Sequence, residues 1–268
     1  MSPQFVDFDG DKQLDIVAGT FSGSPFVAIG SEKGWQQPVE IKDGKGDRIV
    51  LNQFWNYETK KWDETKRCDP EDALKQGHGT SAIAWDQDGD GDLDLLLGDY
   101  DGGYLYLRKN DGKPGAPKFV GRNKPVMVGG KPLNVGKMST PRIVDWDRDG
   151  LMDLVCSSMG DAYGDGDGGG VWLFLNTGSQ KTPFAKAQLL IPLSKKESKQ
   201  EPLRPDSGLY ADVADCDGDG DLDLVVGGYT HMPKKGNAEN EDTRTSCVWL
   251  YENKTSKKGP TTGAAKIR

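Results

Sequence analysis

One nine-residue pattern, D-x-D-x-D-x-x-x-D, occurs four times in this chain of 268 residues, each time running straight into an apolar segment. It reads DFDGDKQLD from Asp7 to Asp15, DQDGDGDLD from Asp86 to Asp94, DWDRDGLMD from Asp145 to Asp153 and DCDGDGDLD from Asp215 to Asp223. Carboxylates at positions 1, 3, 5 and 9 of so short a stretch repel one another unless a cation lies among them. A solvated acidic surface has no reason to keep one register four times.

The spacing suits a hard divalent cation, which takes six to eight oxygen ligands in a flexible shell. On a tightly curled loop the side chains at positions 1, 3 and 5 point inward: Asp7, Asp9 and Asp11; Asp86, Asp88 and Asp90; Asp145, Asp147 and Asp149; Asp215, Asp217 and Asp219. Position 7 (Gln13, Asp92, Leu151, Asp221) offers its backbone carbonyl, and Asp15, Asp94, Asp153 or Asp223 closes the shell. Gly91, Gly150 and Gly220 at position 6 permit the turn. The first loop has Lys12 there, with Gly10 two places earlier.

With no His or Cys at ligand spacing, the donor set favours about four calcium ions, with magnesium or manganese second, and argues against zinc or copper. An EF-hand loop is twelve residues long, ends in Glu and lies between helices. Here the loops close at position 9. They are preceded by QFVDF, SAIAW, PRIVDW and YADVAD and followed by DIVAGT, DLLLGDY, DLVCSSM and DLVVGGY, all strand-like.

The loops mark a longer repeat, since their first aspartates stand at 7, 86, 145 and 215. Each unit continues into a third strand: PFVAIG from Pro25, YLYLRKN from Tyr104, WLFLNTG from Trp172 and WLYENK from Trp249. A weaker fourth is expected at Pro38–Ile41, Pro117–Val120 and Pro183–Ala185, with no convincing counterpart in the last unit. Four antiparallel strands per unit, repeated in tandem, predict an all-β chain folded as a β-propeller. The blades fall at about 1–43, 80–130, 138–192 and 208–256 of a single domain, with insertions at 44–79 and 193–207.

The loop followed by an apolar strand and a third strand of Leu, an aromatic and then Asn (LYLRKN, LFLN, LYEN) resembles the FG-GAP/VCBS repeats of integrin-α-like calcium-binding β-propellers. The resemblance covers nearly the whole chain and is most specific in the second, third and fourth loops. It implies a calcium ion on each A–B loop, held by the aspartates named above and the position-7 carbonyls. Such propellers usually have about seven blades, whereas four are evident here. Either the ring closes with four or five blades, region 43–79 supplying a degenerate one, or the chain is part of a larger ring.

The formal charge of −8 belongs to the loops: with their sixteen ligand carboxylates set aside, Lys and Arg outnumber Asp and Glu. Four calcium ions would bring the chain near neutrality. Weak calcium sites stay filled outside the cytosol, so a secreted, periplasmic or cell-surface setting is expected, with any signal segment upstream of Met1. No stretch reaches a membrane span, and no nucleic-acid motif is present. Cys68, Cys156, Cys216 and Cys247 fit one or two disulfides or buried thiols, and Asn253-Lys-Thr255 matches a glycosylation sequon.

The insertions sort onto the blade ends opposite the aspartate loops, the expected side for a protein or glycan partner; association with other blades of the same ring or with a partner chain is a separate expectation. RIVLNQFWNYETKKW reads as a hairpin turning at Asn56–Lys60, and CDPEDALKQG as a short helix. Phe54, Trp55, Tyr57 and Trp62 either form a sugar- or peptide-binding platform or pack the insertion down. Asp161, Asp165 and Asp167 lie on a Gly-rich tip that reads as a plain turn or an irregular cation site. His78 and His231 have no motif-level catalytic partner, and GxSxG, HExxH and phosphate-cradling motifs are absent. A non-catalytic binding module is therefore expected. The alternative is a carbohydrate-active site using His78, His231, Asp161 and Asp165.

Overall fold

The computed structural model describes residues 3–64, 77–160, 167–179, 183–193, 205–231 and 244–254, with backbone alone for Thr80, Thr230, His231, Arg244 and Thr245. Among the described residues every element is a strand. The helix expected over CDPEDALKQG and the Asp161–Asp165 part of the Gly-rich tip lie outside them. The chain divides into two compact units, Met1–Pro141 and Arg142–Arg268.

The first unit holds two four-stranded antiparallel sheets. One is β1 (Gln4–Val6), β2 (Asp15–Gly19), β3 (Pro25–Ala28) and β4 (Val39–Glu40). Between the two sheets in sequence comes the hairpin β5 (Gln53–Asn56) and β6 (Lys61–Glu64), turning where expected. The second sheet comprises β7 (Gly79–Trp85), β8 (Asp94–Asp99), β9 (Leu105–Arg108) and β10 (Lys124–Pro125), trailed by the small hairpin β11 (Met127–Val128) and β12 (Lys131–Pro132). β13 (Thr140–Val144), β14 (Asp153–Ser157), β15 (Val171–Phe174) and β16 (Gln188–Ile191) form a third four-stranded sheet, in the second unit from Arg142 onward. The fourth has three strands, β17 (Ser207–Ala214), β18 (Asp223–His231) and β19 (Arg244–Tyr251). These are the blade sheets of an all-β propeller fold, joined in simple up-and-down order.

Each second strand is central in its sheet, which explains its unbroken apolar run. All of β8 and all of β14 are buried, as a strand packed on both faces must be. The cores follow from this. Val17, Val27, Leu51, Ala82, Leu95, Leu97, Tyr106 and Phe119 pack together in the first unit, and Val155, Val171, Leu173, Leu209, Leu224 and Val226 in the second. At the other extreme Val248, Trp249 and Leu250 of β19 stay exposed.

Two fourth strands lie further along than the apolar signal suggests. Pro117–Val120 and Pro183–Ala185 are not ladder strands; Phe119 and Phe184 make single bridges to Asn110 and Asn176, and the strands begin at Lys124 and Gln188. The cause is local in the second sheet, where Asn110 Oδ1 accepts the Gly112 and Lys118 N–H groups and folds the chain over before the ladder resumes. Cys216 and Cys247 are free thiols, Cys156 is buried, and Cys68 lies outside the described residues. The sequon residue Asn253 is buried with its amide donating to Leu222 O, leaving no room for a glycan.

Candidate metal centres

Each aspartate loop connects the first and second strand of its sheet and is built on one plan. The position-1 carboxylate curls the loop around itself. Asp7, Asp86 and Asp215 accept the N–H of position 4 through Oδ1 at 2.8 Å and that of position 6 through Oδ2 at 3.0 Å. Asp145 takes the Gly150 N–H at 3.1 Å. Position 5 accepts from position 7: Asp11 from Gln13, Asp90 from Asp92, Asp149 from Leu151 and Asp219 from Asp221.

This curl requires left-handed backbone at two places. Position 6 has φ of 72° at Lys12, 91° at Gly91, 88° at Gly150 and 94° at Gly220, and position 4 includes Arg148 at 62°. The first loop therefore keeps the same turn as the others, with Lys12 in a conformation that glycine would adopt without strain.

Position 9 is the best buried of the set, with Asp15, Asp94, Asp153 and Asp223 each no more than 1% exposed. Its Oδ1 reaches across to the third strand, accepting the N–H of Gly30 (2.7 Å), Asn110 (2.7 Å), Asn176 (2.6 Å) and Asn253 (2.8 Å). The asparagine amide returns a bond to the carbonyl of position 8: Asn110 to Leu93, Asn176 to Met152 and Asn253 to Leu222. In the first sheet a Cβ on Gly30 would lie 2.2 Å from Leu14 O, so no asparagine fits; Trp35 Nε1 donates to that carbonyl instead, at 2.8 Å. These asparagines are functional positions that the metal-ligand argument passed over, although the Asn of the third-strand motif marks them.

The folded loops bring carboxylates together as trios with oxygens within 4.8 Å of one another: Asp7, Asp9 and Asp15; Asp86, Asp88 and Asp90; Asp145, Asp147 and Asp153; Asp215, Asp217 and Asp223. Asp11, Asp149 and Asp219 stand outside their trios, held by the position-7 N–H, and so does Asp94 in the second loop. The second loop differs for a visible reason. Lys109 Nζ sits among its carboxylates, 2.5 Å from Asp88, 3.3 Å from Asp90 and 3.8 Å from Asp94.

Burial and mutual repulsion raise several of the loop carboxyls. Burial, followed by the charges of Asp15, Asp11 and Asp7, raises the Asp9 carboxyl; burial and then Asp149 and Asp145 raise Asp147. Burial pushes Asp94 and Asp153 up to about 6. Asp94 Oδ2 and Asp145 Oδ1 are buried oxygens with no hydrogen-bond partner. An all-oxygen set with orphaned acceptors and mutual repulsion fits a hard cation.

Residues 86–156 and 145–226, together more than half of the chain, match the model of the FG-GAP-like repeat. The chain belongs to the FG-GAP-like repeat family. Each match starts at the first aspartate of a loop, so in these FG-GAP-like repeats the aspartate loop opens the matched segment. No curated protein matches the chain.

His78 and Asp101 are apart from all of this. His78, just before β7, and Asp101, just after β8, lie at the ends of those strands away from the aspartate loop, with His78 Nδ1 2.8 Å from Asp101 Oδ2. The side chain of His231 lies outside the description.

Proposed function

We propose that this FG-GAP-like chain is a calcium-stabilised, extracellular, non-catalytic binding module that offers a protein or glycan partner the blade ends opposite its aspartate loops. The observation that carries the calcium reading is the recurrence of a carboxylate trio in four separately folded loops, at positions 1, 3 and 9 in three of them and 1, 3 and 5 in the second, with buried orphan oxygens in three of the four. Calcium would be held by positions 1, 3, 5 and 9 and the carbonyl of position 7. It would neutralise each cluster and tie the first strand of a blade to the second. That role is structural, and it leaves the opposite strand ends, with the β5–β6 hairpin among them, for recognition.

The reading is tested by titrating EDTA-stripped protein with CaCl₂ in a calorimeter, with MgCl₂ as control. Three or four calcium ions per chain, with magnesium far weaker, are expected. Stoichiometry near zero, or equal heats for both ions, overturns it.

A further inference from the structure

At the far ends of β2, β7 and β8, within the first unit, five rings gather that are spread over eighty positions of sequence. Phe21 comes from the turn after β2, Trp55 and Trp62 from the β5–β6 hairpin, and His78 and Tyr100 from the ends of β7 and β8. Trp62 and His78 centroids are 4.6 Å apart, His78 stacks on Tyr100 at 4.8 Å, and Phe21 meets His78, Tyr100 and Trp62 edge-on at 5.4, 5.6 and 6.1 Å.

The hairpin is fixed in place by backbone bonds. Trp55 N–H donates to Ser22 O at 2.8 Å, and the Asn52 and Gln53 N–H groups share Gly77 O. Gly23, at φ 94°, lets the turn come this close, since a Cβ there would lie 2.9 Å from Gln53 O. The strand register puts Trp55 and Trp62 opposite each other, on the cluster side, while Phe54 faces away under the Arg48 guanidinium at 4.5 Å.

Three features distinguish this cluster from ordinary core. Phe21 is 51% and Trp62 38% exposed, so ring surface is open to solvent on a rigid base. A carboxylate sits among the rings: the Asp101 side chain, 40% exposed, accepts from His78 Nδ1 at 2.8 Å and from Gln53 Nε2 at 3.4 Å. Finally, His78 is 3% exposed and its Nε2 has no hydrogen-bond partner, an unsatisfied polar atom beneath open rings.

We infer that this surface is a carbohydrate subsite for a neutral sugar ring, stacked on Trp62 and Phe21 with its hydroxyls on Asp101 and Gln53; the inference rests on the binding-module reading above. A pyranose has an apolar C–H face for the rings and a rim of hydroxyls for the carboxylate and amide. A protein partner fits less well, because interface cores are depleted in charge and Asp101 would be desolvated there without a cation. An ammonium cage fails too, since rings already packed on one another leave no cleft between them. Asp101 and the buried Asp99 beside it disfavour acidic sugars.

The test is calorimetric and fluorescence titration of the calcium-loaded full chain with neutral hexasaccharides of glucose, mannose, galactose and N-acetylglucosamine, and with a galacturonate hexamer. At least one neutral oligomer binds and the galacturonate does not. Trp62→Ala and Phe21→Ala each weaken binding by about tenfold or more, and Asp101→Asn weakens it with the rings intact. Trp62→Phe retains part of the affinity. The calcium-dependent melting shift is measured on every variant, so a misfolded one is recognised and Phe21→Ala and Asp101→Asn carry the comparison. If the calcium shift is intact but no neutral sugar binds, or binding ignores Trp62 and Phe21, the subsite falls while the scaffold stands. A peptide that binds through Trp62 where no sugar does overturns the assignment equally. Loss of the calcium shift in the native chain would instead defeat the underlying reading.

Discussion

The Asp153 carboxylate accepts the Asn176 backbone N–H at 2.6 Å across the sheet and the Trp146 N–H at 2.9 Å within its own loop. A residue expected only to close a metal shell is therefore also a brace between the loop and the third strand. The two roles separate by substitution. Asp153→Ala leaves one buried and one partly buried donor unpaired and is expected to cost about 2–4 kcal/mol even in EDTA. Asp153→Asn keeps an acceptor in place and costs less in EDTA, but forfeits the calcium-dependent gain at that loop. Denaturant titrations with and without calcium measure both. Equal stability of the two variants in EDTA would contradict the brace.

Lys109 gives the second loop an internal counter-ion. Against the cost of burying the ammonium, its bond to Asp88, the charge of Asp94 and its bond to Asp90 hold its pKa above the ordinary lysine range. On the calcium reading, an ion entering this loop would have to displace the ammonium. Lys109→Met is expected to destabilise the chain in EDTA and to strengthen calcium binding at one site by about tenfold or more. Calorimetry on the variant tests this; unchanged affinity at every site would contradict it.

Strain at position 6 predicts opposite signs for two substitutions. Lys12→Gly relieves a left-handed lysine and should stabilise the chain by up to about 1 kcal/mol, after the entropy cost of glycine. Gly150→Ala imposes the same strain on the third loop and should destabilise by about 1 kcal/mol. Chemical denaturation in EDTA reads both without interference from the ion.

Burial raises the carboxyls of Asp94, Asp99 and Asp153 to about 6. A carboxyl whose folded pKa exceeds its unfolded value holds its proton more tightly in the folded state. Its stabilising contribution is whole below about pH 4 and is lost as pH rises through about 6. In EDTA these groups lower stability across that window. Calcium competes with the protons of Asp94 and Asp153, so its melting shift should be larger at about pH 7.5 than at about pH 5. A shift independent of pH would contradict the assignment of these carboxylates to the ion.

Much of this was legible in the chain because the loop and the strands on either side of it are short-range features. Asp86 to Leu97 states a turn and a buried strand in twelve consecutive residues, and the fold honours both. The fourth strands were not legible. Phe119 and Phe184 are buried as their hydrophobicity suggests, yet Lys124-Pro125 carries the ladder with no apolar alternation to announce it. The ring cluster was half legible: Trp55 and Trp62 sit on a recognisable hairpin, but Phe21 and Tyr100 join them only through the packing of three strand ends. Nor does spacing show that Lys109 lands among Asp88 and Asp90, since a residue beyond the loop enters it only once β8 and β9 pair.

The most direct test of the calcium account is a thermal melt of the purified chain in excess EDTA, in millimolar CaCl₂ and in millimolar MgCl₂. An ion that binds only the folded state stabilises by about 2.7 kcal/mol per site at one hundred times Kd. Four weak sites at about ten times Kd in millimolar calcium contribute about 1.4 kcal/mol each and predict a calcium-specific rise in Tm on the order of 10 °C. Coincident melts in EDTA and calcium, or an equal rise with magnesium, would contradict it.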